Sequence, residues 1–154
     1  MTEEKMTIGE FHKKIAMTTN NAIWPILDKE NPSKKELEEA LHMAHTSLYH
    51  WSKIGQPINR ARAEYMISRV YSALKWAEAA TYHAEQCLKI TEEIGIGDFD
   101  LAFAYEVLAR AYLVARKNAE FKKYLELSQK AIDAVKGEED RKICQSELDK
   151  LKYS

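Results

Sequence analysis

The chain repeats itself at a spacing of about 40 residues, and this constrains its fold more than any single motif does. Displacing the sequence by 40 lays Ala40 on Ala80, Ala44 on Ala84, Leu48 on Leu88, Ile54 on Ile94 and Gly55 on Gly95. A displacement of 41 lays Arg69 on Arg110 and Tyr71 on Tyr112, with Ile67 over Leu108 and Ser68 over Ala109. A repeat of this length is one supersecondary unit that cannot bury its apolar face alone and does so against the next copy. Apolar residues recur at three- and four-residue steps, and strand alternation never persists, so each unit is predicted to be a pair of antiparallel helices.

Capping and breaking residues divide the chain into seven predicted helices. Thr7 with Glu10 forms a capping box that starts the first helix, which runs to about Asp28 with Pro25 kinking it or ending it early. Ser33 with Glu36 starts the second, which ends at Gly55, expected as a left-handed cap ahead of Pro57. A third follows Pro57 and Asn59 to about Lys75, and a fourth covers Ala77 to Ile94 before "GIGD". The fifth spans about Asp98 or Asp100 to Arg116, the sixth Asn118 to Lys136, and the seventh "EEDRKICQSELDKLKY", acidic in its first turn as the helix dipole prefers. Only five Gly and three Pro in 154 residues suit a single helical domain, long enough to bury a core without staples.

The stretch "YMISRVYSALKWAEAATYHAEQCLKI" resembles the tetratricopeptide repeat. In that pattern Ile67, Ser68, Tyr71 and Leu74 take the large, small, aromatic and apolar places of the first helix, and Ala80 and Ala84 the small places of the second. Glu64 stands where the pattern prefers Trp, Phe121 replaces a small alanine in the next unit, and Asn31 and Pro32 interrupt the first. The likeness covers roughly Trp24 to Ile132, with a period longer than the family's about 34 residues. It implies an all-α, right-handed stack of antiparallel hairpins, units 7–55, 57–95 and 98–137, closed by a capping helix over 138–152. "HTSLYHW" through "INRARAEYMISRVYSAL" is also similar to short prokaryotic proteins, a likeness that implies no activity.

The third helix carries the most informative polar cluster, because Arg62, Tyr65 and Arg69 share one face at i, i+3, i+7 spacing. Phe103, Glu106 and Arg110 take the matching places one unit later. In the repeat family this face of the first helix lines a concave groove that holds an extended peptide or its terminal carboxylate. The resemblance therefore implies a protein or peptide partner, acidic or offering a C-terminal carboxylate, which an arginine fork binds with two parallel hydrogen bonds. Asn21, in "TTNN", adds an amide at the N-terminal end of the groove, and His45 with Tyr49 forms a polar flank bordering it.

A second reading, from another class, is a small enzyme or metal-dependent bundle built on "HMAHTSLYHW". Glu39 and His42 form an E-x-x-H, the spacing used twice in di-iron bundles, with His45 and Tyr49 beside them. No second E-x-x-H accompanies it, and 100° per residue separates His50 from His45, so metal binding is not the expectation and no cofactor is predicted. Cys87 and His83 stand at i, i+4, but Cys87 occupies the place of Ser47 in the preceding unit and reads as a small core residue. Two distant cysteines without a ligand spacing fit a cytoplasmic protein, as does an N-terminus lacking an apolar core segment. A net charge of -1 offers no field for nucleic acid or an anionic membrane, and the open ends of a short stack make a homodimer the third reading.

Overall fold

The computed structural model describes residues 3–152. Among them seven helices form: α1 (Ile8–Leu27), α2 (Lys34–Ile54), α3 (Pro57–Ala73), α4 (Ala77–Ile94), α5 (Asp98–Val114), α6 (Asn118–Asp133) and α7 (Glu138–Lys152), with no strand. Both predicted capping residues act as such. The Thr7 hydroxyl accepts from the Glu10 backbone N–H at 3.1 Å. Ser33 Oγ accepts from the Glu36 N–H at 3.1 Å while Glu36 Oε1 accepts from the Ser33 N–H at 3.0 Å, a full reciprocal box.

The helix ends refine the expectation at several points. Pro25 does not stop α1, which continues through it to Leu27. Gly55 caps α2 in an extended conformation, φ -80° and ψ 162°, and not in the left-handed one. Its glycine is demanded by space, since a Cβ there would stand 2.7 Å from the Trp51 carbonyl oxygen and 2.9 Å from the Trp51 ring. Finally, α5 and α6 each stop short of the predicted end, at Val114 and Asp133.

Left-handed residues follow α3, α4 and α5 instead. Gly95 takes φ 75°, but Lys75 and Arg116, equivalent across a displacement of 41, take φ 65° and 60° without being glycine. Both turns are tied alike, the Trp76 N–H donating to the Tyr71 carbonyl and the Lys117 N–H to the Tyr112 carbonyl, each at 3.0 Å. A left-handed residue with a Cβ is strained by about 1–2 kcal/mol, partly offset by its lower freedom when unfolded. Lys75→Gly and Arg116→Gly are therefore each expected to stabilise the protein by about 0.5–1 kcal/mol, read as a raised urea midpoint with unchanged slope.

Neighbouring helices pack in antiparallel pairs, α1 with α2, α3 with α4 and α5 with α6, and each pair leans on the next through α2–α3 and α4–α5. The odd-numbered helices also approach in succession, α1–α3–α5–α7, whereas the backbones of α2, α4 and α6 stay apart and α2 meets α4 through His45 and His83. The odd helices thus form one layer and the even ones an outer, splayed layer. Small residues permit this closeness: Ala40, Ala44, Ala80, Ala84, Ala104 and Ala111 are all fully buried. Burial follows the sequence repeat, since residues 40–50 and 80–90 run through buried, half-buried and exposed in the same order.

Side-chain contacts repeat as well. The Tyr71 ring stacks on His83 at 5.6 Å, and Tyr112 stacks on Tyr124 at 5.6 Å. Each phenol then reaches back to the preceding hairpin, Tyr71 to His45 Nε2 at 3.0 Å and Tyr112 donating to Glu85 Oε1 at 3.5 Å. No described helix is long and apolar enough to cross a membrane.

Candidate functional site

The left-handed turn at Gly95 ends α4 and delivers the start of α5 to the flank of α3, bringing Phe99, Asp100 and Phe103 opposite Arg62 and Tyr65. With Asn20 and Trp24 of α1, these residues surround a recess of about 210 Å³ in the odd-helix layer, lined also by Cys87 and Thr91 of α4. Aromatic rings make its walls: Tyr65 meets Phe103 edge-on at 5.4 Å, Phe99 meets Phe103 at 6.4 Å, and Trp24 lies 6.5 Å from Tyr65.

At the rim Arg62 forms a two-pronged pair with Asp100, Nε to Oδ1 at 2.9 Å and Nη2 to Oδ2 at 3.0 Å. Its guanidinium also lies over the Phe99 ring at 5.4 Å. The hydrogen bonds that Arg62 donates to Asp100 raise its pKa further above the physiological range, so the rim charge is permanent. The side chain stays 51% exposed, and Nη1 has no protein partner among the described residues.

Behind the recess runs a buried polar network. Arg69 Nη1 donates to Tyr65 Oη at 2.8 Å and to Glu147 Oε2 of α7 at 2.9 Å. Arg110 donates to Glu106 Oε1 through Nε at 3.0 Å and Nη2 at 2.5 Å, and reaches the same Glu147 oxygen at 3.3 Å. Burial opposes the Arg69 charge, but Tyr65, Glu106 and Glu147 more than offset this and its pKa stands above the ordinary arginine value. Burial alone would raise the Glu147 carboxyl, but Arg69, Lys150 and Arg110 hold it below the usual carboxylate range.

The nine residues singled out from sequence therefore separate. Arg62, Tyr65 and Phe103 do come together at the recess. Arg69, Glu106 and Arg110 lie behind it, where Arg69 is 5% and Glu106 1% exposed and both arginines are spent on glutamates of this chain. The reason is α7, whose Glu147 occupies the face that spacing alone left open. Asn21 is exposed and does not line the recess, whereas its neighbour Asn20 does.

His45 and Tyr49 also part company. His45 turns to Tyr71 and packs edge-on to His83 at 5.6 Å, while Tyr49, 56% exposed, lies against His50 and under Lys53. Neither lines the recess. Glu39 and His42 are exposed, and no group of three His, Cys, Asp or Glu side chains disposed around a common point for a metal occurs among the described residues. Glu64, on the neighbouring α3, takes His83 Nδ1 at 2.5 Å. Burial pushes the Cys87 thiol up to about 12, so it is protonated and inert at neutral pH.

Two histidines give this region an acid sensitivity. His50 Nδ1 meets His12 Nδ1 at 2.8 Å, joining α2 to α1, a contact that requires at least one neutral ring. Burial and His12 lower the His50 pKa, and burial followed by His83 lowers that of His45. A histidine whose folded pKa is depressed binds fewer protons folded than unfolded, so stability rises with pH and falls as pH drops below about 6.5, the unfolded value. The melting temperature is expected to decline between pH 7 and pH 5.5, and the decline to shrink in the His45→Asn/His50→Asn variant. An equal decline in that variant would assign the effect elsewhere.

Among the lining residues, Trp24, Phe99 and Asp100 belong to no site motif of the sequence. The i, i+4 pair Phe99 and Phe103 opening α5 was the signal available for the aromatic wall. No protein-family model, curated protein or solved structure matches the chain.

Proposed function

We propose that this chain is a tetratricopeptide-like, right-handed stack of three helical hairpins with a capping helix, acting as a non-catalytic scaffold for a peptide or protein partner. Two layers of helices, the inner ones in succession and the outer ones splayed, support a curved stack of this kind. The single observation that carries the reading is the aromatic-walled recess in the inner layer, with the exposed Arg62 at its rim. Concave apolar sites with a few placed polar groups are where ligands bind by default. Arg62 suits an acidic partner, because a guanidinium recognises a carboxylate geometrically as well as electrostatically.

The buried fate of Arg69 and Arg110 narrows the reading to the recess end of the layer. These two arginines, with Ser72 and Lys75, line another depression of about 360 Å³ near the helix C-termini. There Glu106 and Glu147 already balance both guanidiniums, and the carbonyl ends of α3 and α5 add negative potential, so an anion gains little.

The test is affinity capture with wild type and Arg62→Ala. Arg62 is 51% exposed but Asp100 only 12%, so Arg62→Ala is combined with Asp100→Asn, which strands no carboxylate and lets folding persist. The specific partner should disappear from the variant's eluate at unchanged melting temperature. An identical set of captured proteins would overturn the assignment of the rim.

A further inference from the structure

We infer that the recess is a pocket for one aromatic side chain of the partner, read together with an acidic side chain next to it that pairs with Arg62. The inference rests on the scaffold reading above and specifies what that scaffold recognises.

Size comes first. A cavity of about 150 Å³ lined by apolar side chains admits benzene, and this recess measures about 210 Å³, so one ring fits and two do not. Wall chemistry comes next. The rings of Trp24, Tyr65, Phe99 and Phe103 present both edges and faces at the spacings found here, and an entering ring completes edge-to-face contacts that an aliphatic chain cannot. Cys87 lines the same space, and sulfur packs favourably against a ring edge.

Charge then chooses among ring-bearing ligands. An aromatic cage with a carboxylate nearby would ordinarily suit a cation. Here three of the four rings already carry a guanidinium on one face: Arg62 lies over Phe99, and Arg69 lies 5.4 Å over Trp24 and 5.8 Å over Tyr65. Both oxygens of Asp100 are bound to Arg62 as well. A cationic ligand would meet the Arg62 guanidinium at the rim, with the Arg69 charge behind the wall and no open carboxylate, whereas an anionic one meets the unused Nη1 of Arg62. Asn20 is half-buried at the same rim with no hydrogen-bond partner among the described residues, an amide available to the ligand's backbone.

Trp24 is a built-in reporter, and replacing Trp51 and Trp76 by phenylalanine leaves its fluorescence as the only indole signal. Titration with acetyl-Ala-Phe-Glu-Ala-amide should quench or shift it saturably. Replacing Glu by Gln in the peptide should weaken binding about 3- to 10-fold, the worth of one partly exposed charged hydrogen bond. Leu for Phe should weaken it further, and Ala for Phe should abolish it. Arg62→Ala should erase the Glu-over-Gln preference and keep the preference for Phe. Asn20→Phe, which fills the recess with a tethered ring, should remove binding.

The same titration followed by amide chemical shifts in the wild-type protein does not depend on the tryptophan replacements. No saturable response to the Phe peptide in either experiment, or equal binding by the Ala peptide, overturns the inference. Equal binding of the Glu and Gln peptides overturns its acidic half. Tighter binding of acetyl-Ala-Phe with a free C-terminus than of the Phe-Glu peptide overturns the side-chain source of the carboxylate. Loss of capture by intact partners with retained peptide binding would sink the scaffold reading alone, while retained capture without peptide binding would sink this one alone.

Discussion

Glu147→Ala is expected to destabilise the protein by about 3 kcal/mol, because removing one member of a buried ion pair strands the other. Glu147 is the acceptor that α7 supplies to Arg69 and Arg110 together, and its side chain is 13% exposed. Without it Arg110 keeps Glu106, but Arg69, 6% exposed at its side chain, retains only the Tyr65 hydroxyl as a direct acceptor. Urea denaturation measures the loss, and Glu147→Gln should reproduce most of it because the charge and not the volume is at issue. Lys34→Ala, which breaks an i, i+4 pair 77% and 46% exposed, should cost nothing measurable and serves as the control. Replacing Arg69 by Met together with Glu147 by Leu should recover much of the loss, since apolar replacement of a whole buried pair is often neutral or better. The pH dependence has a definite sign: the Glu147 carboxyl is depressed when folded, so its contribution is present above about pH 4.3 and lost as pH falls through the folded value.

Ile67→Ala and Leu108→Ala should each cost about 2–5 kcal/mol, and by similar amounts. They occupy the same position of successive units and are 0% and 1% exposed. Ile67 packs in the cluster with Ile23, Ala40, Ala44 and Val70, whereas Leu108 packs with Ala80, Ala84, Ala104 and Val107. The surroundings are alanine-rich in both cases, and an alanine backbone held by helix packing cannot move in to fill the space, which favours the upper part of the range. Loss of the urea midpoint in one variant but not the other would show that the two hairpins are not packed equivalently.

The helices were legible because their signals are local: a capping hydroxyl at Thr7 and a capping box at Ser33, glycine at 55 and 95, and apolar steps repeating across 40 residues. The αL turns at Lys75 and Arg116 were not, since lysine and arginine announce no left-handed bend and are held there by the packing of the helices they join. For the site, the spacing of Arg62, Tyr65 and Arg69 correctly put three side chains on one face of α3. It could not say that Glu147, 78 residues beyond Arg69, would come back to occupy that face. Charge pairing at such separation is decided by where α7 docks, through Cys144, Leu148 and Leu151 in the core, and no periodicity encodes it. Asn20 against Asn21 is a smaller instance, in which one residue of helix rotation, about 100°, separates the recess from solvent.

The reach-back of each hairpin's tyrosine to its predecessor, His45 to Tyr71 and Glu85 to Tyr112, has a consequence for length. A second copy of residues 57–97 spliced after the first would offer Tyr71 of the new copy to Glu85 of the old, while Glu85 of the new copy would still meet Tyr112. The tyrosine joints would carry over, but Arg69 of the first copy would be parted from Glu147 and would need a new acceptor. Lengthening the middle by tandem duplication would thus keep the joint between hairpins and call for one redesigned charge pair behind it.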